Sequence, residues 1–98
     1  MKGSGTEMIE APTIHLNGSS EQRLLDALVA ATVALRAAED AVAETAPHGR
    51  DYYVQQDGRF EEAQRQHRAR MVALELVRTE LELQARAVFD QMEARRAR

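Results

Sequence analysis

The chain contains no cysteine and no tryptophan, two prolines, one lysine and only four other aromatic residues among 98. Without cysteine there is no disulfide framework and no thiolate chemistry, a composition that suits a reducing, cytoplasmic setting. Two tyrosines and two phenylalanines serve a β-sandwich core poorly. The apolar residues are mostly Ala, Leu, Val and Met, which suit helices. No apolar run approaches the roughly 20 residues needed to cross a bilayer. The first residues lack the apolar segment of a secretory signal. A Gly-rich phosphate loop and a nucleophile elbow are both missing. His15, His48 and His67 lack the spacing of a zinc site, and none is preceded by the Glu-x-x that a di-metal bundle requires. These absences point away from an enzyme and imply no metal and no cofactor.

Charge is plentiful but uneven. Residues 1–51 carry 4 Lys/Arg against 8 Asp/Glu, and residues 52–98 carry 9 Arg against 8 Asp/Glu. Arginine offers a planar fork for carboxylate and phosphate. The plainer account is that these arginines solvate helix faces and pair with glutamates one turn away. The interleaved acids also break any continuous phosphate track, so nucleic acid is a poor partner. The tail Arg95-Arg96-Ala97-Arg98 suits the negative end of a helix.

Residues 1–12 are polar and without period, as in a flexible arm. Thr13-Ile14-His15-Leu16 alternates and reads as a short extended piece. Asn17-Gly18 is a turn signal, and Ser19-Ser20-Glu21-Gln22 supplies a capping box. A helix over 20–46 follows, with a seam of Leu24, Leu28, Ala31, Leu35, Ala38 and Val42, spaced alternately by four and three. Leu25, Val29 and Val33 widen that stripe, and Pro47 ends the helix. Gly49 is expected to take positive φ and reverse the chain. Asp57 is the expected N-cap of a helix over 58–95, with Glu61 and Glu62 in its first turn. Its stripe reads Phe60, Ala63, His67, Met71, Leu74, Val77, Leu81, Ala85, Val88 and Met92.

The pattern predicts an all-α fold: a long antiparallel two-helix hairpin, coiled-coil-like, in one domain over 13–98. The second helix exceeds the first by roughly 15 Å at 1.5 Å per residue. Counting from the loop, that excess places Val88, Phe89 and Met92 beyond the first helix. A hairpin with so little interior calls for association, most simply a homodimer forming a four-helix bundle, or a higher homo-oligomer.

Loop 47–56 differs from both helices. It holds His48, Arg50, Asp51, Tyr52, Tyr53 and Gln55, with His67 and Arg70 nearby on the second helix. His67 is either a polar residue that fixes register in the seam or the lining of a pocket under the loop. Tyr52 and Tyr53 point opposite ways in an extended segment. They either cap the bundle end or stack on a ligand beside Arg50. Asp51 suits a local turn.

His15-Leu16-Asn17-Gly18-Ser19-Ser20, followed by Pro47-His48-Gly49-Arg50-Asp51-Tyr52-Tyr53-Val54-Gln55 and then His67, resembles a group of short phage and prophage proteins. Their pattern is HLNG(T/S)S, then P-x-GRDYY-x-Q, then His. The resemblance spans residues 13 to about 90. The group usually has Pro at the place of Val54 and often Asn at that of His48. The resemblance implies small, helical, oligomeric proteins of the host cytoplasm. Such proteins counter host defence by binding a host protein or by sequestering a nucleotide signal. It implies a ligand-binding set of His15, Asn17, Arg50, Asp51, Tyr52, Tyr53, Gln55 and His67, to which the helix face beside His67 adds Arg70. Arginine would hold phosphate, tyrosine stack on a base, and Asn or Asp meet ribose hydroxyls. The alternative is a structural or adaptor coiled-coil module whose apolar faces dock a protein partner.

Overall fold

A computed structural model of the chain describes residues 18–52 and 57–97. Two helices form it: α1, Gly18–Ala43, and α2, Arg59–Ala97, joined through a 3-10 turn at Gly49–Tyr52. They pack as a hairpin. The arm 1–12, the extended piece Thr13–Leu16 and residues 53–56 lie outside the described residues. The Cα radius of gyration is 19.3 Å, where a compact chain of this length would give about 13 Å. No helix among the described residues is long and apolar enough to cross a membrane.

Helix α1 starts two residues ahead of its expected position. The expected cap residue Ser19 is thus already helical. At the other end the α-helix stops at Ala43, and one tighter turn carries the chain to Ala46. There the amides of Glu44, Thr45 and Ala46 donate to the carbonyls of Ala41, Val42 and Ala43 at 3.1, 2.9 and 3.2 Å. These i→i−3 bonds satisfy the last carbonyls before Pro47, which has no amide hydrogen to continue the ladder. The chain reversal also differs from expectation. Gly58, with φ 91°, holds the left-handed conformation, and Gly49 does not. The Gly58 carbonyl accepts from the Glu62 amide at 2.9 Å, so Gly58 occupies the cap position expected of Asp57.

Ion pairs fix the register. Arg78 donates to Glu39 at 2.6 Å and Arg36 to Glu82 at 3.0 Å. At the open end Arg95 meets Glu21 at 2.5 Å, and the Glu21 side chain is 4% exposed. Carried along both helices, this register sets Leu24 opposite Met92, Leu28 opposite Val88, Ala31 opposite Ala85, Leu35 opposite Leu81 and Val42 opposite Leu74. The α1 seam is the expected one. The α2 seam departs at one place: Val77 is 45% exposed, and Arg78 takes its position opposite Ala38. The step from Leu74 to Arg78 to Leu81 keeps the four-three alternation that a facing pair requires. Alanine opposite leaves room for the arginine stem. Arg78 also donates to Glu82 at 3.2 Å. Its guanidinium is held above its ordinary pKa, chiefly by the hydrogen bond to Glu39.

The expected overhang lies at the other end of the hairpin. Val88 is fully buried against α1. The stretch that α1 leaves uncovered is Arg59–Val72, about four turns, and Thr45, Pro47 and Tyr52 lie along it. The reason is the loop itself. After Ala46 the chain runs along α2, so the two helices do not begin level.

Only Leu28 and Val88 form a buried apolar core among the described residues. Val88→Ala is expected to destabilise the chain by about 2 kcal/mol, from lost burial and the cavity left. Val33, 63% exposed on α1, should lose less than about 0.5 kcal/mol on the same change. Urea midpoints of the two variants check the contrast.

Candidate functional site

Where the loop crosses the first turns of α2, two hollows open side by side. The smaller, about 130 Å³, is lined by Thr45, Pro47, Tyr52, Ala63, Gln66, His67 and Arg70. The larger, about 260 Å³, is lined by Tyr52, Arg59, Glu62, Ala63 and Gln66. Tyr52, Ala63 and Gln66 belong to both, so they form the ridge between them. The positions 63, 66, 67 and 70 follow the i, i+3, i+4, i+7 spacing of one helix face.

Each element of the ridge has a local cause. The Asp51 amide donates to the His48 carbonyl at 3.0 Å and closes the 3-10 turn that carries Tyr52. Tyr52 is therefore helical in geometry, not extended. Its ring meets Phe60 at 5.8 Å between centroids, tilted by 44°. The ring of Phe60 also lies 3.8 Å from the place a Cβ on Gly49 would take, so the turn rests on this ring. Thr45 donates its hydroxyl to the Val42 carbonyl at 2.7 Å, which fixes its side chain at the mouth of the smaller hollow.

His67 is half-buried, and its Nδ1 is shielded from solvent without a hydrogen-bond partner among the described residues. It lies beyond the end of α1, so it cannot set the register of the two helices. The imidazole lines the smaller hollow, and its shielded nitrogen is an unfilled hydrogen-bonding position. Beside it, Arg70 is exposed and brings a cation to the rim. Arg59 does the same for the larger hollow. Glu62 is engaged already: Arg65 and Gln66 both donate to it, the latter at 3.1 Å. The hydrogen bond from Arg65 is the main cause that holds the Glu62 carboxyl below its ordinary pKa, with Gln66 next.

Of the residues expected here, the structure brings Tyr52, His67 and Arg70 together. Arg50 and Asp51 lie on the exposed side of the turn, outside the lining of both hollows. His15, Asn17, Tyr53 and Gln55 lie outside the described residues. The expectation had left out Thr45, Gln66, Arg59 and Phe60. Gln66 was findable, since it shares a helix face with Ala63, His67 and Arg70. The contact of Phe60 with Tyr52 depends on the path of the loop and had no local signal. No protein-family model, curated protein or solved structure matches the chain.

Tyr52 and Phe60 are expected to couple. A double-mutant cycle of Tyr52→Leu and Phe60→Leu, read from urea denaturation, should give about 0.5–1.5 kcal/mol of interaction. A coupling near zero would show that the ring pair does not hold the turn in place.

Proposed function

We propose that this chain is a non-enzymatic binder that sequesters a small anionic, nucleotide-like ligand at the loop end of the hairpin, within an oligomer of its own copies. The observation that carries this reading is the convergence of three groups on one hollow. Tyr52 offers a ring face, Arg70 a cation, and His67 a buried nitrogen without a partner among the described residues. Stacking, charge and one directional hydrogen bond are what a nucleotide needs. Neither hollow alone reaches the roughly 300–1,000 Å³ of a typical ligand site. Joined across the Tyr52 ridge, they pass the lower limit. The resemblance to short phage proteins supplies the context: a protein of the host cytoplasm that withholds a nucleotide signal from host defence.

A second reading, a structural or adaptor module that docks an amphipathic helix of a protein partner, is favoured by Val29 and Val33. These are 47% and 63% exposed on one face of α1.

Thermal unfolding against a panel of nucleotides and cyclic dinucleotides separates the two. A ligand at 100 times its Kd stabilises by about 2.7 kcal/mol. For a chain of this size that raises Tm by roughly 10 °C or more. Arg70→Ala and His67→Ala should each abolish most of the shift, while Arg50→Ala should leave most of it. A chain indifferent to the whole panel would favour the adaptor reading. An undiminished shift in the Arg70 and His67 variants would move the site elsewhere.

A further inference from the structure

Helix α2 carries a second stripe on the face opposite its seam. Val72, Leu76, Thr79 and Leu83 are each two residues, a little over half a turn, from the seam positions Leu74, Arg78, Leu81 and Ala85. Val72, Leu76 and Leu83 are 58%, 47% and 42% exposed. Their intervals are four, three and four, the spacing by which one helix meets another along its length. Ala69 extends the series at one end and Arg86 at the other. A shallow hollow of about 210 Å³ lies over Val72, Glu75, Leu76 and Thr79.

The charges that bound this stripe identify its occupant. Continued by the same intervals, it passes through Arg65 toward the loop and through Asp90 toward the open end. A cation closes one end and an anion the other, equally far from the middle. A surface of that kind is complementary to itself when turned over. We propose that this face of α2 pairs with the same face of a second copy, antiparallel, about a two-fold axis between Leu76 and Thr79.

In that pairing Leu76 meets Thr79 of the second copy, and Val72 meets its Leu83. Ala69 lies opposite Arg86, whose stem has room over the small side chain. Arg65 faces Asp90 of the second copy, and the two-fold repeats every contact. The pairing also brings Glu62 toward Glu93 and Glu75 toward Glu82 of the second copy. Three of these four acids already have an arginine within their own chain: Glu62 has Arg65, Glu93 has Arg96, and Glu82 has Arg36 and Arg78. Glu93 and Glu82 are therefore offset before the copies meet, while Arg65 is shared between Glu62 and Asp90 of the second copy.

Sedimentation equilibrium of the full chain tests this without any ligand, so its outcome is independent of the loop-end site. The expected mass is at least two chains, each of 11.0 kDa. Leu76→Glu should reduce it to one chain with the helical circular dichroism signal retained, while Val33→Glu should leave it unchanged. A monomeric full chain overturns the proposal and leaves the face to residues 1–17 or to another protein. An unchanged mass in Leu76→Glu overturns it too. Should that variant unfold, single cysteines decide. Mixed Ala69→Cys and Arg86→Cys chains are expected to cross-link under mild oxidation. Ala69→Cys alone should not, because its two copies would stand roughly 25 Å apart along the helices. Absence of a cross-link in the mixture, or equal cross-linking of Ala69→Cys alone, would refute the register.

Discussion

Arg78 stands in the seam between two helices, where every neighbouring layer is apolar. Burying a guanidinium there is costly unless carboxylates meet it, and one register supplies them. Glu39 accepts at 2.6 and 3.3 Å, and Glu82, itself bridged to Arg36, completes the group. Sliding α1 by one heptad would bring Ala85 or Met71 opposite Glu39 and leave Arg78 only Glu82 of its own helix. The apolar layers tolerate such a slide, since alanine and leucine recur at every step. The ionic group does not. It also decides where the hairpin ends fall. With Arg78 level with Ala38, α1 runs out near Ala73 of α2. About four turns of α2 remain for the loop to cover. The hollows beside Tyr52 exist because of that mismatch.

The same economy leaves the molecule thin. Small side chains on α1 let the helices approach closely, but they bury little area. The outcome, among the described residues, is two buried apolar residues and a wide exposed surface on both helices. Cores this small are commonly completed by association. The proposed α2 pairing would supply it on the face that α1 cannot reach, and touches the loop end at Glu62, on the edge of the larger hollow. Under that register His67 of one copy lies level with Val88 of the other. Two loop-end sites would stand about 30 Å apart along the pair. Each would bind its ligand without the other's help.

Much of this was legible in the residues. The α1 seam follows the four-three alternation without exception, and Pro47 marks the end of the helical run. The α2 seam was legible but for one position. Apolarity favours Val77, whereas strict alternation between Leu74 and Leu81 requires Arg78. The period was the better guide, because geometry is fixed by spacing and a charged side chain can be accommodated by partners. The place of the overhang was not legible. Helix lengths say how much is left over, and only contacts between helices say at which end. At the site, Tyr52, His67 and Arg70 were findable from composition and helical spacing. Arg50 drew attention because it sits in an unusual loop. A 3-10 turn, however, sends successive side chains in different directions, and its side chain faces solvent.

The net charge of −3 opposes the proposed anionic ligand at long range. Distance removes the objection. At physiological ionic strength a charge is screened beyond about 8 Å, so acids on the far turns of both helices contribute little at the loop end. The local balance is what counts. Residues 57–70 carry four arginines against three acids. Of those acids, Glu62 spends its oxygens on Arg65 and Gln66. Arg59 and Arg70 therefore face the two hollows with less opposition than composition suggests. Charge alone would draw any anion to them. Discrimination has to come from groups that do not tolerate a poor fit: a tyrosine ring whose tilt is set by Phe60, and a histidine nitrogen shielded from water. Under the proposed reading, an anion without a flat ring would gain the arginines but not the contact with the Tyr52 ring.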